Sequence, residues 1–99
     1  MMWLALPVCL AGTAVKAEAD RTRLADLVIQ ECGSCHGLTL RGGLGRPLTR
    51  DALEGFPLET VRDIILDGLP GTPMPPWRPL MSEKEASIIA EMLKSGVLP

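Results

Sequence analysis

The residues that spell out a specific chemistry are Cys32, Gly33, Ser34, Cys35 and His36, in the order Cys-x-x-Cys-His. Two thiols three positions apart at a helix end can each add across one of the two vinyl groups on the edge of a haem. The histidine immediately after them then projects its imidazole at the iron from one face of the ring. This pattern is an attachment signal for haem c. Other uses of the same residues fit less well. A structural zinc ion needs four protein ligands, and a catalytic one needs three plus water. Beyond these three residues the only other soft ligand of Cys or His type is Cys9, in the N-terminal apolar run. A thioredoxin-like dithiol belongs at a strand-to-helix junction, and no strand is evident. A disulfide between Cys32 and Cys35 would close only a very small loop.

If His36 takes one face of the iron, the other face needs a second ligand, and the chain has no second histidine. The candidates are Met74, Met81, Met92 or nothing. Met92 reads as a core residue of the last helix. Met81 sits just before a helix cap and reads as a staple residue facing Ala86. Met74 lies in Thr72-Pro73-Met74-Pro75-Pro76-Trp77, where the prolines leave little backbone freedom. A thioether is a weak iron ligand, so a loop that has already lost its conformational entropy helps it compete with water. Met74 is therefore the expected partner of His36, with Met81 or an open site as alternatives. A Met ligand opposite His raises the reduction potential of the iron. The other ring nitrogen of His36 should donate to a backbone carbonyl, which the loop near Arg46 and Pro47 can supply. Trp77 is a candidate to pack on the haem or simply to fill the core. Arg41, Arg46 and Arg78 are candidates for the propionates or, as readily, solvated charges.

These residues need elements to hold them. Leu24, Leu27, Val28 and Cys32 keep helical spacing, so a first helix is predicted from about Thr22 to Cys32, capped by Asp20 or Thr22. From Gly37 to Phe56 the chain is rich in glycine and reads as loop, with a short turn possible at 50–54. Pro57 and Gly68 bracket a second helix at 58–66. Prolines exclude helix from the stretch 69–79. The last helix begins at Ser82, where Ser82-x-x-Glu85 forms a capping box. It presents Ala86, Ile89, Met92 and Leu93 on one face and stops at Gly96.

The whole chain has 99 residues, enough for one small domain. Ten basic residues stand against twelve acidic ones, which argues against a nucleic-acid partner. So small a core needs a staple, and a haem supplies a large flat apolar body. The opening run Met1–Val15 is apolar and uncharged but shorter than the ~20 residues of a membrane span. Ala17-Glu18-Ala19 fits signal-peptidase cleavage after Ala19, giving a signal peptide at 1–19 and a domain at 20–99. No Lys or Arg precedes the run, as a start codon placed too late would explain. An uncleaved anchor is the alternative, and Cys9 reads as a passenger lost with the signal. The expected location is the periplasm, with no stable membrane insertion after cleavage.

The mature chain resembles class I cytochromes c over almost its whole length. CGSCHGLTLRGGLGRPLT and LDGLPGTPMPPW are similar to the small cytochromes encoded with dissimilatory nitrite reductase, the NirC (cytochrome c-55X) family. The resemblance implies an all-α class I cytochrome c fold, with three main helices and long loops around one covalently bound haem c. It implies Cys32 and Cys35 as thioether carriers, and His36 and Met74 as iron ligands. It implies a single-electron carrier with no catalytic residue, whose partner is cytochrome cd1 nitrite reductase or an enzyme that finishes haem d1. A haem-based ligand binder or sensor with a labile sixth ligand is the alternative. The family commonly has Gly-Pro-x-Leu where this chain reads Gly45-Arg46-Pro47-Leu48. The carbonyl that would hold the histidine therefore belongs to Arg46.

Overall fold

A computed structural model describes residues 8–98. Among them there are helices and loops and no strand, as the all-α expectation requires. The five α-helices are α1 (Val8–Leu27), α2 (Gly33–His36), α3 (Arg50–Leu53), α4 (Leu58–Asp67) and α5 (Glu83–Ser95).

Helix α5 is the centre of the packing, and α1, α3 and α4 all lie against it. Ala86, Ile89, Ala90, Met92 and Leu93 turn inward and meet Leu24, Ala25 and Val28 together with Val61, Ile65 and Leu66. The capping box forms in full. The Ser82 hydroxyl accepts from Glu85 N–H at 3.1 Å, and the Glu85 carboxylate accepts from Ser82 N–H at 2.9 Å. Met81 and Ala86, on either side of that cap, are both buried. At the other end Gly96 takes the left-handed conformation with φ 72°. Lys94 does more than face the negative end of the helix: its ammonium donates to the carbonyls of Leu53 and Phe56, which ties α3 and the turn after it to α5.

The remaining elements obey their local signals closely. Thr49 caps α3 by accepting from Ala52 N–H at 3.3 Å. Pro57 precedes α4, and Gly68 ends it with φ 71°. The proline-rich stretch is irregular except for a short 3₁₀ turn at Arg78–Leu80.

Two features depart from expectation. The first helix begins at Val8 rather than near Thr22, and neither Asp20 nor Thr22 caps it. Instead the Thr22 hydroxyl bonds back to the Glu18 carbonyl at 3.1 Å, a pairing made inside a continuous helix. Residues 15–19 are all exposed, and the first buried residue after them is Leu24. Second, the helix changes pitch at Val28–Cys32, where the Gly33 N–H bonds to the Val28 carbonyl five residues back. Such a π-turn admits one extra residue and rotates everything after it. The segment rotated here is Gly33–His36, the end of the haem-attachment motif.

Candidate haem-binding site

The π-turn and α2 carry Cys32, Cys35 and His36 within little more than one turn. Cys32 is half-buried. Burial, and then the neighbouring Glu31 charge, push its thiol up to about 11. Cys35 is exposed, and both thiols are unpaired. Ser34 donates to the Glu31 carbonyl at 2.8 Å, which tightens the turn between them.

After His36 the chain folds back beneath its own helix end. Gly37 turns it with φ 93°, and a methyl group there would come within 2.5 Å of the Gly42 carbonyl oxygen. The two helix-end carbonyls of Cys35 and His36 then receive N–H groups from the loop. Gly45 N–H reaches Cys35 at 2.7 Å, and Gly42 N–H reaches His36 at 2.9 Å. Leu40 is held at φ 61°, a conformation leucine rarely adopts, and its side chain is buried. Its backbone is fixed on both sides, by Gly37 at 2.8 Å and Leu48 at 2.9 Å.

This loop grips the imidazole. His36 Nδ1 lies 2.7 Å from the Arg46 carbonyl oxygen. A carbonyl only accepts, so Nδ1 carries a proton, and in the neutral ring Nε2 then keeps its lone pair. The backbone of Gly45 lies against the ring. A methyl group at Gly45 would sit 2.6 Å from both Cε1 and Nδ1. The acceptor anticipated at Arg46 is present, while the contact of Gly45 is additional. Arg46 itself reaches outward over the Phe56 ring, 5.1 Å from its centroid.

Met74 stands on a separate loop, residues 68–77, anchored to α4. Gly68 lets it pass, since a methyl group there would lie 2.6 Å from the Met74 carbonyl oxygen. Trp77 N–H donates to the Ile65 carbonyl at 3.0 Å, and Thr72 donates its hydroxyl to Leu69 at 2.7 Å. Met74 is half-buried, whereas Met81 and Met92 are in the core. Trp77 packs partly buried against that core. Arg78 is engaged by Asp67 and Glu83, and Arg41 is exposed.

The structure thus brings Cys32, Cys35 and His36 together and sets Met74 on its own support. Among the described residues no three of His, Cys, Asp and Glu gather as a metal-holding group. The donor set suits a haem better than a bare ion. It has one imidazole with a free Nε2, two unpaired thiols and one thioether. Leu27, Leu48, Phe56, Leu58, Trp77 and Ile88 pack partly buried against the core.

Known proteins resemble this chain over most of its length. The family profile described as cytochrome c oxidase, cbb3-type, subunit III matches residues 19–93. A cytochrome c55X of Paracoccus denitrificans is 56% identical over 91 residues, covering 89% of this chain and 88% of its own. The chain belongs to the cytochrome c55X family of c-type cytochromes. Its fold is the one seen in the solved c-type cytochrome NirC, with a TM-score of 0.77 and 46% identity over 79% of this chain and 92% of that one. A second solved structure is dihydro-heme d1 dehydrogenase NirN in complex with DHE. It matches with a TM-score of 0.66 and 29% identity over 70% of this chain, which is 15% of NirN. As a member of the cytochrome c55X family the chain is a haem c protein of the electron-carrying type.

Proposed function

We propose that this cytochrome carries one haem c, bound covalently through Cys32 and Cys35 and ligated by His36 and Met74. On this reading it works in the periplasm as a single-electron carrier of the nitrite reductase system. The observation that carries the ligand assignment is the hydrogen bond from His36 Nδ1 to the Arg46 carbonyl at 2.7 Å, which leaves Nε2 as the free donor and fixes the plane of the ring. Met74 is supported because the two other candidate methionines are consumed by the core. The bound haem supplies a one-electron iron couple. The residues around it hold both ligands through stiff or tightly bonded loops, so little has to move when the charge changes. Cys35, exposed at the end of α2, marks the side on which the macrocycle edge would approach a partner.

Export is supported by the Ala17-Glu18-Ala19 pattern and by the exposure of residues 15–19. Residues 15–19, which precede the proposed cleavage point, are exposed, and Asp20 stands four positions before Leu24, which is buried. Among the described residues no helix is long and apolar enough to cross a membrane. The partner proposed is cytochrome cd1 nitrite reductase or an enzyme of haem d1 maturation. The likeness to NirC, and to the matching part of NirN, supports that system. The test is to isolate the exported protein from cells competent in cytochrome maturation, then to weigh it and record reduced-minus-oxidised spectra. The expected mass exceeds that of residues 20–99 by one haem, and the spectrum is that of a low-spin c-type haem. A mass equal to the bare polypeptide would end the proposal.

A further inference from the structure

Arg78 adds a charged tie among three elements, two of which, α4 and α5, already pack together. Its Nε donates to Asp67 Oδ1 at 2.9 Å, its Nη2 donates to Asp67 Oδ2 at 3.1 Å, and its Nη1 donates to Glu83 Oε1 at 3.3 Å. Asp67 is the last residue of α4, Glu83 is the first of α5, and Arg78 opens the 3₁₀ turn between them. The paired contact with Asp67 is the fork-on-fork arrangement that fixes direction as well as distance. The segment enclosed between Asp67 and Arg78 is loop 68–77, which carries Met74.

The loop depends on its ends. Inside it the bonds that touch Met74 are long, at 3.3 Å from Leu69 N–H to the Met74 carbonyl and 3.3 Å from Met74 N–H to the Thr72 hydroxyl. Its prolines restrict its backbone, and it leaves α4 at Gly68, where φ is 71°. The far end is fixed by Trp77 N–H on Ile65 and, one residue later, by Arg78 on Asp67. A loop with few strong bonds of its own is positioned by whatever holds its two ends.

We propose that the Asp67–Arg78–Glu83 cluster is a clasp that closes the base of the Met74 loop and sets how firmly the thioether is held on the iron. This rests on Met74 being the sixth ligand. Arg78 and Asp67 are positioning residues. Being exposed, they act without touching the ligand. The clasp also keeps the Asp67 carboxyl below its ordinary range, as a guanidinium hydrogen-bonded to it must.

The experiment uses the purified holo-cytochrome, reduced and mixed with saturating carbon monoxide, where the limiting rate of gas binding reports release of the sixth ligand. The variants are Asp67→Asn and Arg78→Lys, with Met74→Ala as the open-site reference. Arg62→Ala is the control, since Arg62 forms an exposed ion pair of the same kind with its neighbour Asp63 that joins no two elements. Asp67→Asn is expected to speed carbon monoxide entry about fivefold, the upper end for an exposed ion-pair network. It should also weaken the sulfur-to-ferric-iron absorption band. Arg78→Lys should fall between it and the wild type, because lysine keeps the charge and loses the fork. Raising the salt concentration should speed entry in the wild type and have a smaller effect on Asp67→Asn, which keeps only the Arg78–Glu83 pair. If Met74→Ala accelerates entry while Asp67→Asn and Arg78→Lys match the wild type and Arg62→Ala, the clasp is refuted and the ligand stands. If Met74→Ala itself matches the wild type, the ligand assignment is wrong and the clasp goes with it.

Discussion

Gly45 is the position at which a single methyl group should reach the iron. Gly45 does not have positive φ, so alanine meets no backbone obstacle there. What it lacks is room. The added carbon would sit 2.6 Å from Cε1 and Nδ1 of His36, against an ordinary contact of about 3.5–4.0 Å between carbons. The ring must therefore shift by roughly 1 Å or tilt. Its hydrogen bond to Arg46, now 2.7 Å, cannot survive such a shift at good geometry. Loss of that bond, which lies at the surface, is a destabilisation of about 0.5–1.5 kcal/mol. The electronic consequence is separate. A Nδ1–H that donates strongly makes the opposite nitrogen more basic and favours the ferric state. If about 1 kcal/mol of that preference is lost, the one-electron potential rises by about 40 mV. The assays are a spectroelectrochemical titration and a denaturant unfolding curve, run on Gly45→Ala and on Gly55→Ala as reference. At Gly55 an added methyl meets no atom within 4 Å. The expected result is a raised potential and a lowered unfolding midpoint for Gly45→Ala only. A Gly45→Ala protein with the potential and midpoint of the parent would refute the proposed grip on the imidazole.

The packing and the charges give two further expected outcomes. Met92 is 1% exposed in the last turn of α5, so Met92→Ala should destabilise the fold by about 2–5 kcal/mol in denaturant titration while leaving the sulfur-to-iron band in place. The Ser82 backbone N–H first, and then Arg23, hold the Glu85 carboxyl below its ordinary value of 4.5. A carboxyl lowered in the folded state contributes stability above that value and loses it as pH falls through the folded one. Glu85→Gln should therefore reduce stability near neutrality and flatten its decline in acid below about pH 4.5, as read by unfolding curves across pH.

The sequence is most legible where the backbone chemistry is local. Ser82 and Glu85 cap α5, Pro57 opens α4, and Gly68 and Gly96 end their helices because each of these residues acts on its own neighbours. The same holds for Cys32, Cys35 and His36, which lie within five consecutive positions. The start of α1 is not legible in this way, because Asp20 and Thr22 are good caps in isolation. In the run Ala14–Ala19 nothing breaks the helix, and Thr22 satisfies itself on the Glu18 carbonyl instead. The π-turn at Val28–Cys32 is a shift of hydrogen-bond register with no residue signature, and Leu40 enters the left-handed region only because tertiary burial demands it. Read along the chain, Arg78 is one more solvated charge. Its role depends on the loop bringing position 78 back to position 67, which is a property of the fold and not of the string.

The two ligand loops achieve rigidity by opposite means, and that difference decides what can disturb each. Loop 37–47 is fixed by backbone groups. Carbonyls of Cys35, His36 and Arg46 and N–H groups of Gly42 and Gly45 do the holding, and the glycines are there to let those atoms approach. Side chains such as Leu44, 97% exposed, take no part. Ionic strength and surface charge have little purchase on such a framework. Loop 68–77 has few strong backbone bonds, gains stiffness from proline and is fastened by side-chain charge at its outer end. On the proposed ligation, the weaker iron ligand, Met74, thus sits on the support that solvent can loosen. A carrier that must keep its haem in every state and yet tune one ligand has reason to divide its anchoring in this way.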